Sequence, residues 1–294
     1  MPTNVMSKNS VSDPVASKFF CRGREVAFSA GKPMIMGILN VTPDSFSDGG
    51  SGDESKIESL LAAAPDIIDI GGESTRPGAK CVSPEEELER VLPAVRRIKK
   101  LNPEILISVD TRKSIVAKSA LEAGADIIND VSALNFDPEI AEVVGAFSAG
   151  LILNHSRGTP ETMNSPEYLS YPAGLVKTVC DELERSLELA VSHGVQKNSI
   201  ILDPGLGFSK NTAQNLELIR DTELLLELGY PLLSGPSRKR FIGDLTGEEE
   251  PVLRDFGTCG AVIASYLSGY SIIRVHNVKA AKDCLAVFCG CQKR

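Results

Sequence analysis

The chain has 294 residues, of which 42% are hydrophobic, and its formal net charge at pH 7 is −8. No apolar stretch approaches the roughly 20 residues that a membrane-spanning helix needs, and an acidic chain lacks the broad basic surface that binding to nucleic acids or acidic membranes requires. These features exclude an integral membrane protein and a general nucleic-acid-binding protein, and we expect a soluble, cytoplasmic protein.

The N-terminal residues, 1 to about 16, are polar and contain neither an apolar core segment nor an Arg. They lack the marks of a signal or transit peptide, so we expect a flexible tail before a single domain at residues 17–294. Residues 18–31 come next, with a polar centre between apolar flanks, and this pattern predicts an N-terminal β-hairpin.

Eight short apolar segments follow, and each ends at a residue that can take part in chemistry. The segments are residues 34–40, 66–72, 105–110, 126–130, 150–155, 199–203, 231–235 and 271–276. Such runs of Ile, Leu and Val predict parallel strands that are buried on both faces. Helical patterns separate them, so we predict an α/β fold, a (β/α)8 TIM barrel whose bottom the hairpin closes. In this fold the chemistry lies at the C-terminal ends of the strands.

Several intervening segments carry clear helix signals. Ser83 offers an N-cap before a proline and three glutamates, and that helix ends in basic residues at 96–100. A second helix is predicted at residues 172–194 and a third at about 212–229. A further segment, residues 257–269, has almost no polar face, so it must be covered by a second copy of the chain or by the C-terminal segment.

The seven cysteines and three histidines do not suggest a metal centre. The cysteines are odd in number and form no pair of CxxC motifs, so we interpret them as buried or incidental reduced thiols rather than as zinc ligands. The histidines are scattered along the chain, and only His276 lies where a ligand is expected, at the end of a predicted strand.

The loops after the first and second predicted strands stand out by composition. Residues 41–50 and 73–79 are rich in Gly, Ser and Asp, which suits a backbone that reorganises around a ligand. Phe46 and Arg76 are the groups that these loops would bring to it. Surface turns are the alternative interpretation, but the position of the loops at the catalytic rim of a barrel favours the functional one.

Two longer motifs carry a family resemblance. Residues 36–50, MGILNVTPDSFSDGG, resemble the first signature of the dihydropteroate synthases, and residues 69–78, DIGGESTRPG, resemble the second. The likeness continues through SVDT at 108–111, IND at 128–130, LDPGLGF at 202–208, SRK at 237–239 and RVHN at 274–277. The resemblance implies a pterin-binding transferase of folate biosynthesis. It would join 6-hydroxymethyl-7,8-dihydropterin diphosphate to p-aminobenzoate, release pyrophosphate and 7,8-dihydropteroate, and be a target of sulfonamides.

The resemblance also implies which residues bind the pterin and act in catalysis. A pterin presents amine, carbonyl and ring-nitrogen groups along one edge, so its pocket must offer both acceptors and donors. The implied pterin residues are Asp110, Asn129, Asp203 and Lys239, and the implied catalytic residues are Asp110, Lys239, Asp48 and Arg76. Asp110 would lie closest to the forming charge. A helix cap or a salt-bridge partner is the alternative for each carboxylate, Asp110 included, and a solvated basic patch is the alternative for Lys239.

The remaining implied residues serve the diphosphate and the second substrate. The diphosphate residues are Asn40, Arg76, Arg274 and His276, and the p-aminobenzoate residues are Phe46, Thr75, Pro77, Phe208 and Ser237. Arg274 and His276 are two apart, hence on the same side of the last strand. Asn40 is the implied ligand of a Mg²⁺ that the diphosphate bridges, since this ion prefers oxygen ligands. Ser237 precedes a helix, whose N-terminus favours a carboxylate.

Two other functions compete with this interpretation. A pterin-dependent methyltransferase shares the barrel but needs no pyrophosphate clamp, so Arg274 and His276 argue against it. A catalytically silent scaffold barrel would have lost site residues, and none is lost here. One departure from the family pattern is Asn154-His155-Ser156, where Met-His-Met is more usual, and it makes that wall of the pterin pocket more polar. The resemblance also implies a homodimer that uses the last helices.

Overall fold

The structure, a computed structural model, describes residues 18–29, 31–41, 51–74 and 81–292, without the side chains of residues 51–53. The predicted flexible tail lies outside the described residues. So do five predicted site residues, which are Phe46, Asp48, Thr75, Arg76 and Pro77.

The predicted hairpin and the eight predicted barrel strands are all present. Strands β1 (Lys18–Cys21) and β2 (Arg24–Ala27) pair antiparallel. The barrel strands are β3 (Met34–Asn40), β4 (Ile67–Gly71), β5 (Leu106–Asp110), β6 (Ile127–Asp130), β7 (Gly150–Asn154), β8 (Ile200–Asp203), β9 (Leu233–Ser234) and β10 (Ile272–Val275). The α-helices are α1 (Ser51–Ala62), α2 (Pro84–Leu101), α3 (Ser114–Glu122), α4 (Glu139–Phe147), α5 (Leu175–Ser192), α6 (Thr212–Arg220), α7 (Glu223–Glu227), α8 (Arg240–Thr246), α9 (Asp255–Leu267) and α10 (Val278–Cys291). Among the described helices, none is long and apolar enough to span a membrane.

The eight barrel strands are parallel and nearly close on themselves. Their order in the sheet is β8-β7-β6-β5-β4-β3-β10-β9. Between the two edge strands, Leu202 forms a parallel bridge with Leu232, and the backbone N–H of Leu202 donates to the carbonyl of Pro231 at 2.9 Å. The predicted (β/α)8 barrel is confirmed, and its C-terminal strand ends meet at one rim.

The interior of the barrel has an apolar floor at the hairpin end. Side chains on each strand alternate between the helix layer and the interior. One apolar side chain from each barrel strand enters this floor, and these are Met36, Ile67, Leu106, Ile127, Ile152, Ile201, Leu233 and Ile272. Phe19 and Cys21 of the hairpin pack against them from below. The hairpin therefore closes the bottom of the barrel, as predicted, and leaves only the opposite rim for substrates.

The single helix predicted at residues 212–229 is wrong, because the chain forms two helices there, α6 and α7. Asp221 leaves the helical conformation, with φ −103° and ψ 73°. The next residue, Thr222, is buried, and its hydroxyl donates to the carbonyl of Ser268 at 2.6 Å. This contact with a distant part of the chain turns the backbone. The apolar pattern continues across the break, so the break was not predictable from the sequence.

Helix α9 is the apolar helix expected from the sequence, and α10 covers part of it. The rings of Tyr266 and Phe288 meet edge to face, with 6.2 Å between their centroids. The described residues leave the first turn of α9 uncovered, since Phe256 is 94% exposed. The C-terminal segment thus accounts for only one side of this helix.

Candidate active site

A polar layer lies directly above the apolar floor. Because alternate residues of a strand face the same side, the residues two positions beyond the floor also face the interior. On six strands these residues are polar, and they are Asp69, Ser108, Asn129, Asn154, Asp203 and Arg274. The first five are at most 5% exposed. Polar side chains from six strands therefore converge in one buried layer below the C-terminal rim.

Arg274 joins two carboxylates in this layer. Its Nε donates to Asp69 Oδ2 at 2.6 Å, and its Nη2 donates to Asp110 Oδ2 at 3.1 Å. The hydroxyl of Ser108 donates to the other oxygen of Asp69 at 2.6 Å. Burial opposes the charge of Arg274, but the carboxylates of Asp69 and Asp110 outweigh it and raise the pKa of the guanidinium. The centre of the site thus holds a fixed cation.

Asp110 ends β5 and is not a helix cap. The backbone N–H at the start of α3, on Ser114, is bound instead by Asp137 Oδ2 at 2.7 Å. Burial raises the pKa of Asp110 to about 8, against the lowering effect of Arg274. The carboxylate of Asp69 adds to the rise, because two like charges share one guanidinium. The cap alternative for Asp110 is therefore wrong.

Two buried amide oxygens lack a hydrogen-bond partner among the described residues. Asn129 Nδ2 donates to Asp69 Oδ2 at 3.2 Å, while Asn129 Oδ1 is unpaired. Asn154 Oδ1, on the adjacent strand, is unpaired as well. Asp203, the register partner of Asn154, accepts a hydrogen bond from the Gly205 N–H at 2.7 Å. Because an unpaired buried acceptor is costly, this wall is suited to a ligand edge that presents N–H donors.

Lys239 differs from its two basic neighbours. Arg238 is held by Asp255 through two hydrogen bonds of 2.7 and 2.9 Å, and the side chain of Arg240 is 87% exposed. Lys239 instead turns toward the barrel, so the solvated-patch alternative is wrong for this residue. Burial lowers its pKa to about 8, against the effect of Asp203.

Lys239 and Asp203 lie on either side of Gly235. A Cβ on Gly235 would be 3.7 Å from Lys239 Nζ and 3.9 Å from Asp203 Oδ2. Glycine therefore keeps the space between the amine and the carboxylate open. The ammonium also donates to the carbonyl of Leu206 and lies 4.6 Å from the centre of the Phe208 ring. A donor, an acceptor and an aromatic face thus meet at one point of the rim.

His276 and Ser237 form a second polar pair at the rim. Ser237 Oγ accepts the backbone N–H of His276 at 3.0 Å and lies 2.9 Å from His276 Nδ1. With its oxygen already accepting, the hydroxyl can donate its proton to Nδ1, which leaves the ring proton on Nε2. The pair links the end of β10 to the loop after β9.

Asn40, at the end of β3, lies near Asp110. A Cβ on Gly71 would be 3.8 Å from Asn40 Oδ1 and 3.9 Å from Asp110 Oδ2. The described residues contain no group of three or more His, Cys, Asp or Glu that could hold a metal ion. One amide oxygen at an open rim does fit Mg²⁺ bound mainly by substrate phosphates and water.

Nine of the predicted site residues thus lie at the C-terminal rim. They are Asn40, Asp110, Asn129, Asp203, Phe208, Ser237, Lys239, Arg274 and His276. Sequence reasoning gave no role to Asp69, although a carboxylate in the middle of an apolar strand needs a partner in the interior. It also missed Lys210, a buried lysine seven residues beyond Asp203.

Comparisons with known proteins agree with this geometry. The family model described as pterin binding enzyme matches residues 36–276, which include the whole polar layer. The dihydropteroate synthase of Synechocystis sp. is 42% identical over 262 residues, which cover 87% of this chain and 89% of that protein. The Xanthomonas albilineans dihydropteroate synthase with 4-aminobenzoic acid has a TM-score of 0.85 and 38% identity, covering 95% of this chain and 99% of that one. The Yersinia pestis dihydropteroate synthase in a sulfonamide drug complex has a TM-score of 0.83 and 36% identity, covering 92% and 97%. The chain therefore belongs to the dihydropteroate synthase family of pterin-binding enzymes.

Proposed function

We propose that the chain condenses 6-hydroxymethyl-7,8-dihydropterin diphosphate with p-aminobenzoate in the polar layer of the barrel, releasing pyrophosphate and 7,8-dihydropteroate. The observation that carries this proposal is the wall formed by Asn129, Asn154 and Asp203, which faces the ammonium group of Lys239. It combines unpaired acceptors with a cationic donor, the mixture that a pterin edge requires.

We assign the pterin ring to this wall. Asp203 accepts from the amino-pyrimidine edge, Asn129 pairs with the ring, and Lys239 donates to the carbonyl and a neighbouring nitrogen. The pKa of Lys239 is lowered only to about 8, so Lys239 is charged in most molecules at pH 7. The apolar floor below the layer excludes water from the buried face of the ring.

We assign the diphosphate to Arg274 and His276, with Arg76 of the loop after β4 as a further cation. Arg274 is already oriented by Asp69 and Asp110, so little side-chain freedom is lost on binding. Asn40 would hold a Mg²⁺ together with the diphosphate oxygens. When bound, this ion would neutralise charge on the leaving group.

We assign p-aminobenzoate to the outer rim, beside Phe208 and Ser237. The Phe208 ring offers an apolar face, and Ser237 lies three residues before Arg240, where α8 begins. Phe46, Thr75 and Pro77, predicted to complete this site, lie outside the described residues. The 4-aminobenzoic acid and sulfonamide drug complexes of the related Xanthomonas and Yersinia enzymes support this second substrate.

In the chemical step, the bond from the pterin methylene to the diphosphate oxygen breaks, the amine nitrogen of p-aminobenzoate bonds to the methylene, and the proton that the amine loses passes to the released pyrophosphate or to solvent. The ring nitrogens can delocalise a positive charge on the methylene, whereas an aromatic amine is a weak nucleophile, so departure before attack is the easier route. The carboxylate of Asp110 then faces the cation, and the Arg274 and His276 side chains take up the anion. Catalysis consists largely of stabilising these separated charges in a buried site.

A coupled assay tests the function directly. Continuous turnover to 7,8-dihydropteroate should require both p-aminobenzoate and Mg²⁺, and sulfonamides should compete with p-aminobenzoate. Lys239→Gln should weaken pterin binding, whereas the matched change at its exposed neighbour, Arg240→Gln, should leave turnover unchanged. A purified protein that binds a pterin but forms no dihydropteroate under these conditions would contradict the proposal.

We also propose a homodimer, in which the uncovered start of α9 contacts a second copy. Exposed apolar side chains cluster around this point, namely Leu245, Val252, Leu253 and Phe256, each at least 59% exposed. Large apolar patches of this kind usually mark an interface. Light scattering at micromolar concentration should give twice the chain mass, and Phe256→Glu should shift it toward the monomer. A wild-type monomer would contradict the proposal.

A cytoplasmic location is proposed on the basis of thiol chemistry. All seven cysteines are free, and five of them are at least partly exposed on α9, α10 and the chain before α2. Free thiols of this number are typical of a reducing compartment. Cell fractionation that found the protein outside the cytoplasm would contradict this assignment.

A further inference from the structure

A buried lysine lies behind the pterin wall. Lys210 is 5% exposed, at the end of the loop that follows β8. Its ammonium group donates to the carbonyl of Phe208 at 2.8 Å, to His155 Nδ1 at 3.0 Å and to the carbonyl of His155 at 3.5 Å. These three acceptors are uncharged, so no carboxylate of the described residues is hydrogen-bonded directly to this buried lysine.

The imidazole of His155 connects Lys210 to the carboxylate of Glu182. His155 Nε2 lies 2.8 Å from Glu182 Oε2. Because His155 Nδ1 accepts from Lys210, the ring proton must be on Nε2 and is donated to Glu182. Burial lowers the pKa of His155 to about 4, so the ring is neutral at pH 7. Arg157 in turn holds Glu182, with Nε at 3.1 Å.

The same network fastens the loop after β7 to the loop after β8. The backbone N–H of Arg157 donates to Ser209 Oγ at 3.0 Å, and the Tyr171 hydroxyl donates to the carbonyl of Ser209 at 3.0 Å. The guanidinium of Arg157 lies 4.3 Å from the centre of the Tyr171 ring. The segment that begins at Asp203 is therefore fixed at two consecutive residues, Ser209 and Lys210, by hydrogen bonds to the loop after β7.

This segment carries two groups already assigned to substrates, Asp203 and Phe208. Burial raises the pKa of Asp203, while Lys239, the Gly205 N–H, Arg274 and Lys210 oppose the rise. Lys239 and Arg274 lie on the substrate side of Asp203 in the assignment above. Lys210 is bonded instead to the loop backbone, so substrate binding does not occupy its charge.

We propose that Lys210 is a positioning residue for pterin recognition, which fixes the loop from Asp203 to Phe208 and keeps the Asp203 carboxylate ionised from behind. This inference rests on the proposed function, because it takes Asp203 as the pterin-binding acid. It adds a residue that does not itself touch the substrate.

The charges around Lys210 support this role. It faces Asp203 on β8, Lys239 after β9, His155 and Arg157 after β7, and Glu182 on α5. Burial lowers the pKa of Lys210 to about 7, and Asp203 opposes that change. The charged fraction of Lys210 therefore increases as the pH falls through about 7, the same direction of pH change that protonates Asp203. The positive charge of Lys210 is therefore present under the acidic conditions that favour protonation of Asp203.

Two variants separate the charge of Lys210 from its hydrogen bonds. Lys210→Gln keeps a donor for the carbonyl of Phe208 but removes the charge, and Lys210→Met removes both. The probe is 6-hydroxymethylpterin, whose dissociation constant is measured calorimetrically between pH 5 and 8.5. Asp203→Asn shows whether weaker binding at low pH reports protonation of Asp203. Lys99→Met is the matched control, because Lys99 pairs with Asp126 at the hairpin end of the barrel.

Removing the charge should raise the pH at which pterin binding is lost. A nearby opposite charge lowers the pKa of a carboxyl group by one unit or more, so the midpoint of the acid limb should rise by about one pH unit in both variants. On the acid limb, below the midpoints of both proteins, the dissociation constant should be about tenfold higher than that of wild type at the same pH, and higher still in Lys210→Met, which also frees the loop. Lys99→Met should lower the melting temperature without moving the midpoint.

The outcomes distinguish the two proposals. If wild-type protein binds the pterin, but Lys210→Gln keeps the wild-type midpoint and a dissociation constant within twofold, the role of Lys210 is wrong. If wild-type protein does not bind the pterin, the proposed function fails instead. Should Lys210→Met not fold, Lys210→Gln decides the question alone.

Discussion

The substitution Asp110→Asn tests whether the carboxylate at the end of β5 stabilises a developing positive charge. Asparagine has the same shape and keeps an oxygen that can accept from Arg274, which donates to Asp110 at 3.1 Å. Arg274 also keeps its 2.6 Å bond to Asp69, so the cation is not left unpaired. The variant therefore removes one negative charge with little change in packing.

The expected loss of turnover can be estimated from this charge. At a separation of about 5 Å and an effective dielectric constant of about 20, a carboxylate and a full positive charge attract by about 3 kcal/mol. That energy corresponds to about 10²-fold in rate, the scale on which enzymes lose turnover when one contact to developing charge is removed. Above pH 8, where Asp110 is charged, we expect kcat to fall by about 10²-fold. The dissociation constant of the pterin should change by less than about threefold, because Asn129, Asp203 and Lys239 remain.

The pH profile supplies a second readout of the same group. Burial raises the pKa of Asp110 to about 8, so the charged form that the mechanism needs is present above pH 8 and is lost as pH falls. Burial lowers the pKa of Lys239 to about 8, so its charged form is lost as pH rises. Wild-type kcat, measured at saturating substrate concentrations, should therefore show a narrow maximum near pH 8, with limbs that belong to the coupled groups together. Asp110→Asn should lack the acid limb.

Steady-state assay of pyrophosphate release, with pterin binding measured separately, checks both expectations. Asp137→Asn is the control, because Asp137 accepts the backbone N–H of Ser114 at the start of the helix that follows Asp110 and belongs to no site assignment. That variant should lose stability and keep its turnover. If Asp110→Asn turned over within threefold of wild type, or kept the acid limb, the assigned role of Asp110 would be wrong.

Three further substitutions test packing around the site. Asn154→Met removes a buried amide oxygen that is unpaired among the described residues, so thermal denaturation should show a melting temperature a few degrees higher, while pterin binding should weaken; a lower melting temperature contradicts this. Gly205→Ala should abolish pterin binding, since Gly205 has φ +75° and a Cβ there would lie 1.8 Å from the His155 carbonyl oxygen. Gly174→Ala is its control. Gly174 has φ +94° but a Cβ there would have no atom within 4 Å, so this variant should lose only about 1 kcal/mol of stability and keep its binding. Thr222→Val should cost about 1–2 kcal/mol in urea denaturation by leaving the Ser268 carbonyl unpaired, and an unchanged midpoint would show that this bond does not hold the break between α6 and α7.

The strand ends were predictable because the barrel obeys a simple alternation. Once an apolar run is taken as a strand buried on both faces, its last polar residues must lie at the C-terminal rim. Asp110, Asn129 and Asp203 are placed by this reasoning alone. Each of them ends, or nearly ends, its strand in the structure.

The pairing inside the rim was not predictable from the sequence. Arg274 bonds to Asp69 and Asp110 across 205 and 164 residues of chain, and only the closure of the barrel brings them together. The sequence pattern showed Arg274 near a strand end but not which acids it meets. The network of Lys210 was hidden for the same reason, because its imidazole partner belongs to the preceding strand and loop.

The two carboxylates on Arg274 differ in a way that explains why Asp110, and not Asp69, should face the reacting carbon. Asp69 accepts hydrogen bonds from Ser108 at 2.6 Å, Arg274 at 2.6 Å and Asn129 at 3.2 Å, so its charge is satisfied before any substrate arrives. In the part of the chain that the structure describes, one such bond reaches Asp110, at 3.1 Å. Its raised pKa shows that the charged form is poorly compensated in the resting site. A cation that forms as pyrophosphate leaves would supply the missing counter-charge only during the reaction. Asp110 would therefore bind the transition state more strongly than the substrate, which is the condition for a rate gain, whereas a fully paired carboxylate would stabilise both alike.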